Sequence, residues 1–311
     1  MTDQATLHTT VSPLQYAVYQ CLCYYDIFNY PLKREEIESS LPVLFQSNQL
    51  TLAIQTLIEQ RLVFSSSEYF FIHPNGTEMI AQRQNNEARY EQYKNRIARA
   101  GRWIARFPFV RGVAISGSCA KGVFPEDGDA DFFIITAKNR VWVCRSFLVL
   151  YKKIFLLNSK RFFCVNYFID ENNLTIPDQN AFVAHEIKHL RPIVNSELHA
   201  KFLSHNSWTN AYLPNKQFFN QSLLSPLPRI RPIAATIEWV FNGKLGDWLD
   251  YRLFKLTLNV WKGKFPDFNM EDFDLNLRSK KHVSKHHPRG FQKKVLNELQ
   301  TKLQKLKAEV V

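Results

Sequence analysis

Two aspartates, Asp129 and Asp131, stand one residue apart at the head of the apolar run DADFFIIT. If this run is a strand, both side chains point to one face, roughly 6.5 to 7 Å apart, because side chains alternate along extended backbone. Carboxylate oxygens are the ligands that Mg²⁺ prefers, and two such ions can stabilise the attacking and leaving oxygens of phosphoryl transfer. The pair therefore predicts a magnesium site, and we expect two ions there.

A glycine-serine turn precedes the aspartates. Gly117 and Ser118 follow the β run FVRGVAIS, at the point where a strand turns toward a helix. Glycine there lets a phosphate approach the backbone, whose free N–H groups and the Ser118 hydroxyl can hold it. Lys121 lies one turn further on, where its ammonium group can neutralise a phosphate oxygen. Gly117, Ser118 and Lys121 therefore form a predicted phosphate-binding turn.

The two motifs occur together at a defined spacing. Residues 115–118 read Ile-Ser-Gly-Ser, ten residues follow, and residues 129–132 read Asp-Ala-Asp-Phe. This pattern resembles the signature of the polymerase-β-like nucleotidyltransferase superfamily, and Lys121 falls where many members carry Arg or Lys. The resemblance covers about residues 105–190, a little over a quarter of the chain.

The resemblance implies a small mixed sheet that transfers a nucleoside monophosphate from a nucleoside triphosphate to a hydroxyl group. It implies that Asp129 and Asp131 are catalytic and bind Mg²⁺, and that Gly117, Ser118 and Lys121 bind the nucleotide. The acceptor stays open and could be RNA, a protein or a small molecule.

Members of the superfamily usually carry a third carboxylate on a later strand, and here the sequence departs from the pattern. The candidate strand, RFFCVNYFID, has Asn166 at its centre and Asp170 at its end. Either Asp170 is the third catalytic residue, or it is a turn residue and Asn166 occupies that position. A neutral amide cannot serve as a base and holds a metal less firmly. The second case favours an alternative function, a nucleotide-binding or regulatory protein with weak or no catalysis.

A second metal-like motif occurs in the segment AHEIKHL. On a helix, His185 and His189 share one face with Glu186 beside them, which is the arrangement of zinc peptidases. No third ligand is evident nearby in the sequence. The alternatives are a helix that lines the nucleotide pocket and an ordinary helix surface.

The whole chain divides into four predicted regions of an α+β protein. Residues 1–75 contain three helical stretches and two short β runs, an order that resembles a winged helix-turn-helix module. A linking helix is predicted over 76–107, with Gly101 as its weakest point. Residues 108–195 alternate β runs and helices and form the nucleotidyltransferase-like core, and 196–311 predict a helical, basic C-terminal region.

The third helix of the first module bears on DNA binding. A helix that reads the major groove presents Arg, Lys, Asn or Gln to base edges. Residues 50–61 offer Gln55, Gln60 and Arg61, with Glu59 among them. We therefore favour a structural or protein-interaction role for this module and keep nucleic-acid binding as the alternative.

Composition limits the partners and the compartment. The net charge is +12, and residues 278–294 are rich in Lys, Arg and His, so the surface can attract nucleotides or nucleic acid, or it is simply solvated. The five cysteines lack CxxC spacing and predict reduced thiols, for which the cytoplasm is the expected compartment. No run of 18 uncharged apolar residues occurs, so we expect no membrane partner.

Overall fold

The computed structural model describes residues 11–74, 76–216 and 232–310, with the side chains of 305–310 excepted. These residues form helices and two separate β-sheets, which confirms the predicted α+β class. The parts of the predicted regions at 1–10 and 217–231 lie outside the described residues.

The first module contains the three predicted helices and the predicted hairpin. A capping box starts the first helix, because the Ser12 hydroxyl accepts from Gln15 N–H and the Gln15 side chain accepts from Ser12 N–H. A short extra strand pairs with the hairpin in the sheet order β1-β3-β2. The elements are α1 (Pro13–Asp26), β1 (Leu32–Lys33), α2 (Arg34–Ser40), α3 (Ser47–Glu59), β2 (Phe64–Ser66) and β3 (Tyr69–Phe71).

The predicted linking helix is α4, Thr77–Ile104. Gly101, the predicted weakest point, packs closely against the sheet. A Cβ atom there would lie 2.1 Å from Cδ1 of Ile193, so any larger residue would displace that side chain. Burial of α4 against the sheet offsets the low helix propensity of the glycine.

The central sheet has six strands in the order β7-β4-β5-β6-β9-β8. Only the β5–β6 pair is parallel, and the other neighbours are antiparallel. The elements up to β7 are β4 (Val110–Ser116), α5 (Gly117–Ala120), β5 (Asp131–Thr136), α6 (Val141–Phe155), β6 (Cys164–Asp170), α7 (Ala181–His189) and β7 (Arg191–Val194). Among the described residues, no helix is both long and apolar enough to cross a lipid bilayer.

The C-terminal region is not wholly helical, which corrects the prediction. Two short strands from its basic segment complete the central sheet, and β9 pairs with β6. Periodicity could not reveal them because strands of two and three residues are too short to show alternation. The elements are α8 (Ser196–His205), a 3₁₀ helix (Ser207–Ala211), α9 (Pro232–Val240), α10 (Lys244–Lys264), α11 (Met270–Asn276), β8 (Ser279–Lys280), β9 (Val283–Lys285) and α12 (Phe291–Val310).

The basic segment 278–294 is partly buried rather than a continuous exposed patch. Arg278 is buried and makes two 2.8 Å hydrogen bonds to the carboxylate of Asp178. Lys285 is also buried, and its ammonium group donates to Gln292 at 3.0 Å. These two cations are therefore not part of a surface that could bind nucleic acid.

The last helix returns to the first module. Val295 and Leu299 of α12 belong to the same hydrophobic core as α1. Beside this core, the ammonium group of Lys302 lies 2.8 Å from the buried carboxylate of Asp26. The C-terminal helix therefore completes the N-terminal module.

Candidate functional site

The predicted phosphate turn follows β4 directly. Gly117 has φ +62°, a conformation that favours glycine, and starts α5, a helix of four residues. A Cβ atom at Gly117 would lie 2.7 Å from Oδ2 of Asp131 on the neighbouring strand. Glycine is thus required both by the turn and by the aspartate. Because α5 is so short, the N–H groups of the turn itself, and not a helix dipole, are what could meet a phosphate.

The strand begins later than the sequence predicts, so Asp131 lies within it and Asp129 lies two residues before it. Asp131 is the first residue of β5 and is paired with Ser116. Ala130 is fully buried, and its backbone N–H and C=O continue the pairing with the chain around β6. The charge of Asp129 acts on the carboxyl group of Asp131, so the two carboxylates lie near each other.

The carboxyl group of Asp131 carries excess negative charge in a poorly solvated position. Its pKa is raised to about 6, chiefly by burial and also by the charges of Asp129 and Glu186, while hydrogen bonds from Cys164 and Asn166 act to lower it. A divalent cation would neutralise this charge, so Asp129 and Asp131 fit a Mg²⁺ ligand pair. Across the described residues, no group of three or more His, Cys, Asp or Glu side chains is arranged around a common metal position.

Asn166 occupies the place beside the aspartate pair. Its side-chain Nδ2 donates to Oδ1 of Asp131 at 2.9 Å. The register between β5 and β6 shifts here, since Phe132 pairs with Val165 but Phe133 pairs with Tyr167. Asn166 is therefore the extra residue of a β-bulge, and a bulge re-aims a side chain.

Asp170 is not brought to the site, and its assignment as a catalytic third carboxylate is corrected. It is paired with Thr136 at the opposite end of β5 from Asp131. Its buried carboxylate accepts from the backbone N–H of Asn139 at 2.6 Å and of Asn172 at 2.7 Å. Asn166 and Asp170 lie at alternating positions of the sequence, which predicts a shared face, but along β6 they lie toward opposite ends of the sheet. Asp170 is a turn residue, the alternative that the sequence left open.

Lys121 lies beside the turn but is paired with a carboxylate. Its ammonium group is 3.2 Å from Oε1 of Glu186 on α7. Its backbone carbonyl accepts from the Tyr30 hydroxyl at 3.4 Å, which connects the turn to the first module. The resemblance did not indicate Glu186. The signal in the sequence was the acidic residue of AHEIKHL, under the alternative that this helix lines the pocket.

His185 and His189 do not form the arrangement of a zinc peptidase. Both are buried, and the Tyr25 hydroxyl lies 3.4 Å from His185 Nδ1 and 3.3 Å from His189 Nε2. His189 Nδ1 is 2.7 Å from the His185 carbonyl oxygen, so it must donate, and Nε2 then accepts from Tyr25. Burial holds the pKa of both rings well below its ordinary value. They are neutral groups of the interface between α1 and α7.

The third helix of the first module shows few groups for reading bases. Leu50, Ile54 and Leu57 face the core. Gln55 is exposed, but its amide donates to Glu59 at 3.1 Å. The residue composition and this pairing both favour the structural role that the sequence suggested.

All five cysteines are free thiols, as predicted.

Comparison of this chain with models of protein families, with curated proteins and with solved structures finds no match. The chemistry of the site is therefore inferred from its own residues.

Proposed function

We propose that the chain is a Mg²⁺-dependent nucleotidyltransferase that moves a nucleoside monophosphate from a nucleoside triphosphate to an acceptor hydroxyl. One observation carries the proposal, the close approach of Gly117, the residue directly after β4, to the carboxylate of Asp131 at the start of the neighbouring strand β5. It joins a turn suited to phosphate with a carboxylate suited to a metal ion, and triphosphate chemistry needs both at one place.

In this proposal, different residues of the site bind the metal ion and the triphosphate. Asp129 and Asp131 would hold Mg²⁺, which supplies charge neutralisation for the phosphates when bound. Backbone N–H groups at Gly117 and the Ser118 hydroxyl would bind the triphosphate. Lys121 would exchange its ion pair with Glu186 for a phosphate oxygen. The acceptor hydroxyl loses its proton to solvent water as its oxygen forms a bond to the α-phosphorus, the bond to the bridging oxygen breaks, and pyrophosphate leaves.

A second candidate function follows from Asn166. The amide beside Asp131 cannot take the proton of an acceptor hydroxyl, so the third position adds no base and no negative charge. This observation favours a nucleotide-binding or regulatory protein that binds a nucleoside triphosphate and transfers slowly or not at all.

A transfer assay separates the two functions. Purified protein is incubated with Mg²⁺, each α-³²P-labelled nucleoside triphosphate and a cell extract, and label is followed into RNA, protein and small molecules. We expect transfer that is lost in Asp129→Ala and retained in Asp127→Asn, an exposed loop carboxylate nearby.

Other outcomes of this assay have definite meanings. Nucleotide binding that depends on Asp131, without transfer to any fraction, selects the regulatory function. Absence of binding for all four nucleotides contradicts both proposals. Transfer that persists unchanged in Asp129→Ala contradicts the assigned site.

A further inference from the structure

A polar cavity of about 180 Å³ lies between the first module and the turn that follows Ser118. We call it the interface cavity. The module contributes Tyr25, Tyr30 and Ser40 to its wall, among other residues. The remainder of the chain contributes three cationic side chains, Lys121, Arg191 and Lys216.

The carboxylate of Glu36, which lies in this wall, already has a cationic partner. Glu36 lines the cavity, but its two carboxylate oxygens accept from the Arg83 guanidinium at 2.7 and 2.8 Å. Arg83 itself is buried, so this pair is held tightly. Glu36 is therefore committed to Arg83, although its charge also acts on Lys216, and Lys121 is paired with Glu186.

Lys216 contributes an ammonium group with one long side-chain hydrogen bond. Its ammonium group is 3.4 Å from the Ser39 hydroxyl, and in the part of the chain that the structure describes no carboxylate lies within 4.0 Å of it. Burial lowers the pKa of Lys216, the charge of Glu36 raises it in part, and the neighbouring charges of Arg191 and Lys121 lower it again. An anion in the cavity would relieve this repulsion and stabilise the charged lysine.

The size of the cavity limits the ligand. Its volume of about 180 Å³ corresponds to roughly six water molecules, at about 30 Å³ each. Pockets for larger small molecules run from about 300 to 1,000 Å³. A phosphate or diphosphate group fits this volume.

We propose that the interface cavity binds a small phosphate or diphosphate anion through Lys216, Arg191 and Lys121. The site is distinct from the predicted phosphate turn because the first module forms one of its walls. Lys121 belongs to both places, so an anion in the cavity would compete for the side chain that meets the triphosphate. This coupling rests on the proposed function, whereas the binding itself does not.

Calorimetric titration with inorganic phosphate and with pyrophosphate, without nucleotide or metal, tests the proposal. We expect saturable binding of at least one of the two anions. Lys216→Gln should weaken it about tenfold or more, the effect of losing one charge-assisted hydrogen bond. Lys216→Arg should keep the affinity within about threefold because it keeps the charge. Lys201→Gln, the same change at an exposed position of α8, should leave the affinity unchanged.

Three results would overturn the anion site. They are no binding of either anion to the wild-type protein, equal affinity in wild type and Lys216→Gln, and a loss of affinity in Ser118→Ala without a loss in Lys216→Gln. The last result would place the anion at the turn. Since no nucleotide is present, an inactive transferase leaves this test intact, and a failed anion site leaves the transfer assay intact.

Discussion

Nδ2 of Asn166 donates a 2.9 Å hydrogen bond to Oδ1 of Asp131. The donor comes from a bulge in β6 and the acceptor from the first residue of β5. The bond stabilises the ionised form of Asp131 without adding a charge, and it lowers the pKa that burial has raised. It also occupies a lone pair that a metal ion could otherwise use. The balance between the ionised and the neutral form of Asp131 therefore depends in part on this amide.

Replacement of Asn166 by aspartate tests that balance. In Asn166→Asp, a second carboxylate faces Asp131, so we expect Mg²⁺ affinity to rise about tenfold above pH 7, where both groups are ionised. Transfer should rise as well if the missing base limits it. Mg²⁺ titration followed by calorimetry gives the affinity, and Asn297→Asp, on the exposed face of α12, is the control for the added charge. Unchanged or weaker Mg²⁺ binding in Asn166→Asp would contradict the position assigned to the metal.

The pKa of Asp131 predicts a pH dependence for metal binding. It is raised from 3.8 to about 6, chiefly by burial, so the group is mostly protonated below about pH 6. Mg²⁺ needs the carboxylate, and its affinity should fall up to about tenfold per pH unit below pH 6 and level off above pH 7. Titrations at a series of pH values measure this, and Asp131→Asn should abolish the step. A flat profile in the wild type would show that Asp131 is not a ligand.

The same shift affects the stability of the metal-free protein. Because the native pKa lies above the ordinary value, the native state binds the proton more tightly than the unfolded state. The stabilisation from Asp131 is therefore fully present below about pH 4 and is lost as the pH rises through 6. In denaturant unfolding, the free energy of unfolding of the wild type should therefore fall relative to that of Asp131→Asn as the pH rises from about 4 to about 7.

The requirement for glycine at position 117 can be tested by comparison with Gly263, where an added Cβ atom meets no other atoms. Gly117→Ala adds a Cβ at φ +62° and 2.7 Å from Asp131, so we expect a loss of about 1–3 kcal/mol in the free energy of unfolding and weaker nucleotide binding. In Gly263→Ala, the added Cβ meets nothing within 4 Å on α10, and we expect a gain of up to about 1 kcal/mol. Urea denaturation measures both. Equal effects of the two changes would remove the strain argument.

Tyr25 joins the first module to α7. Tyr25→Phe removes a buried hydroxyl that contacts Ser40 and both interface histidines, so we expect a loss of about 1–3 kcal/mol in the free energy of unfolding. The control is Tyr251→Phe, where the side chain is half exposed, and a change below about 0.5 kcal/mol is expected. A stable Tyr25→Phe protein would mean that water replaces the hydroxyl at no cost.

Local patterns of the sequence placed Gly117 directly after one strand and Asp131 near the start of the next, and the structure has both there. The two strands are antiparallel neighbours, so the end of the first and the start of the second meet at the same end of the sheet. The helices of the first module followed from apolar spacing, because each helix buries one face.

Contacts between distant parts of the chain were decided only in the tertiary structure. The bulge that aims Asn166 at Asp131 depends on the register of two strands, and the same register carries Asp170 to the far end. The partner of Arg278 is Asp178, about a hundred residues earlier, and the histidines of α7 meet a tyrosine of α1. The identities of these side chains are given by the sequence. Which of them contact each other depends on packing and on strand register, and neither of these produces a local pattern in the sequence.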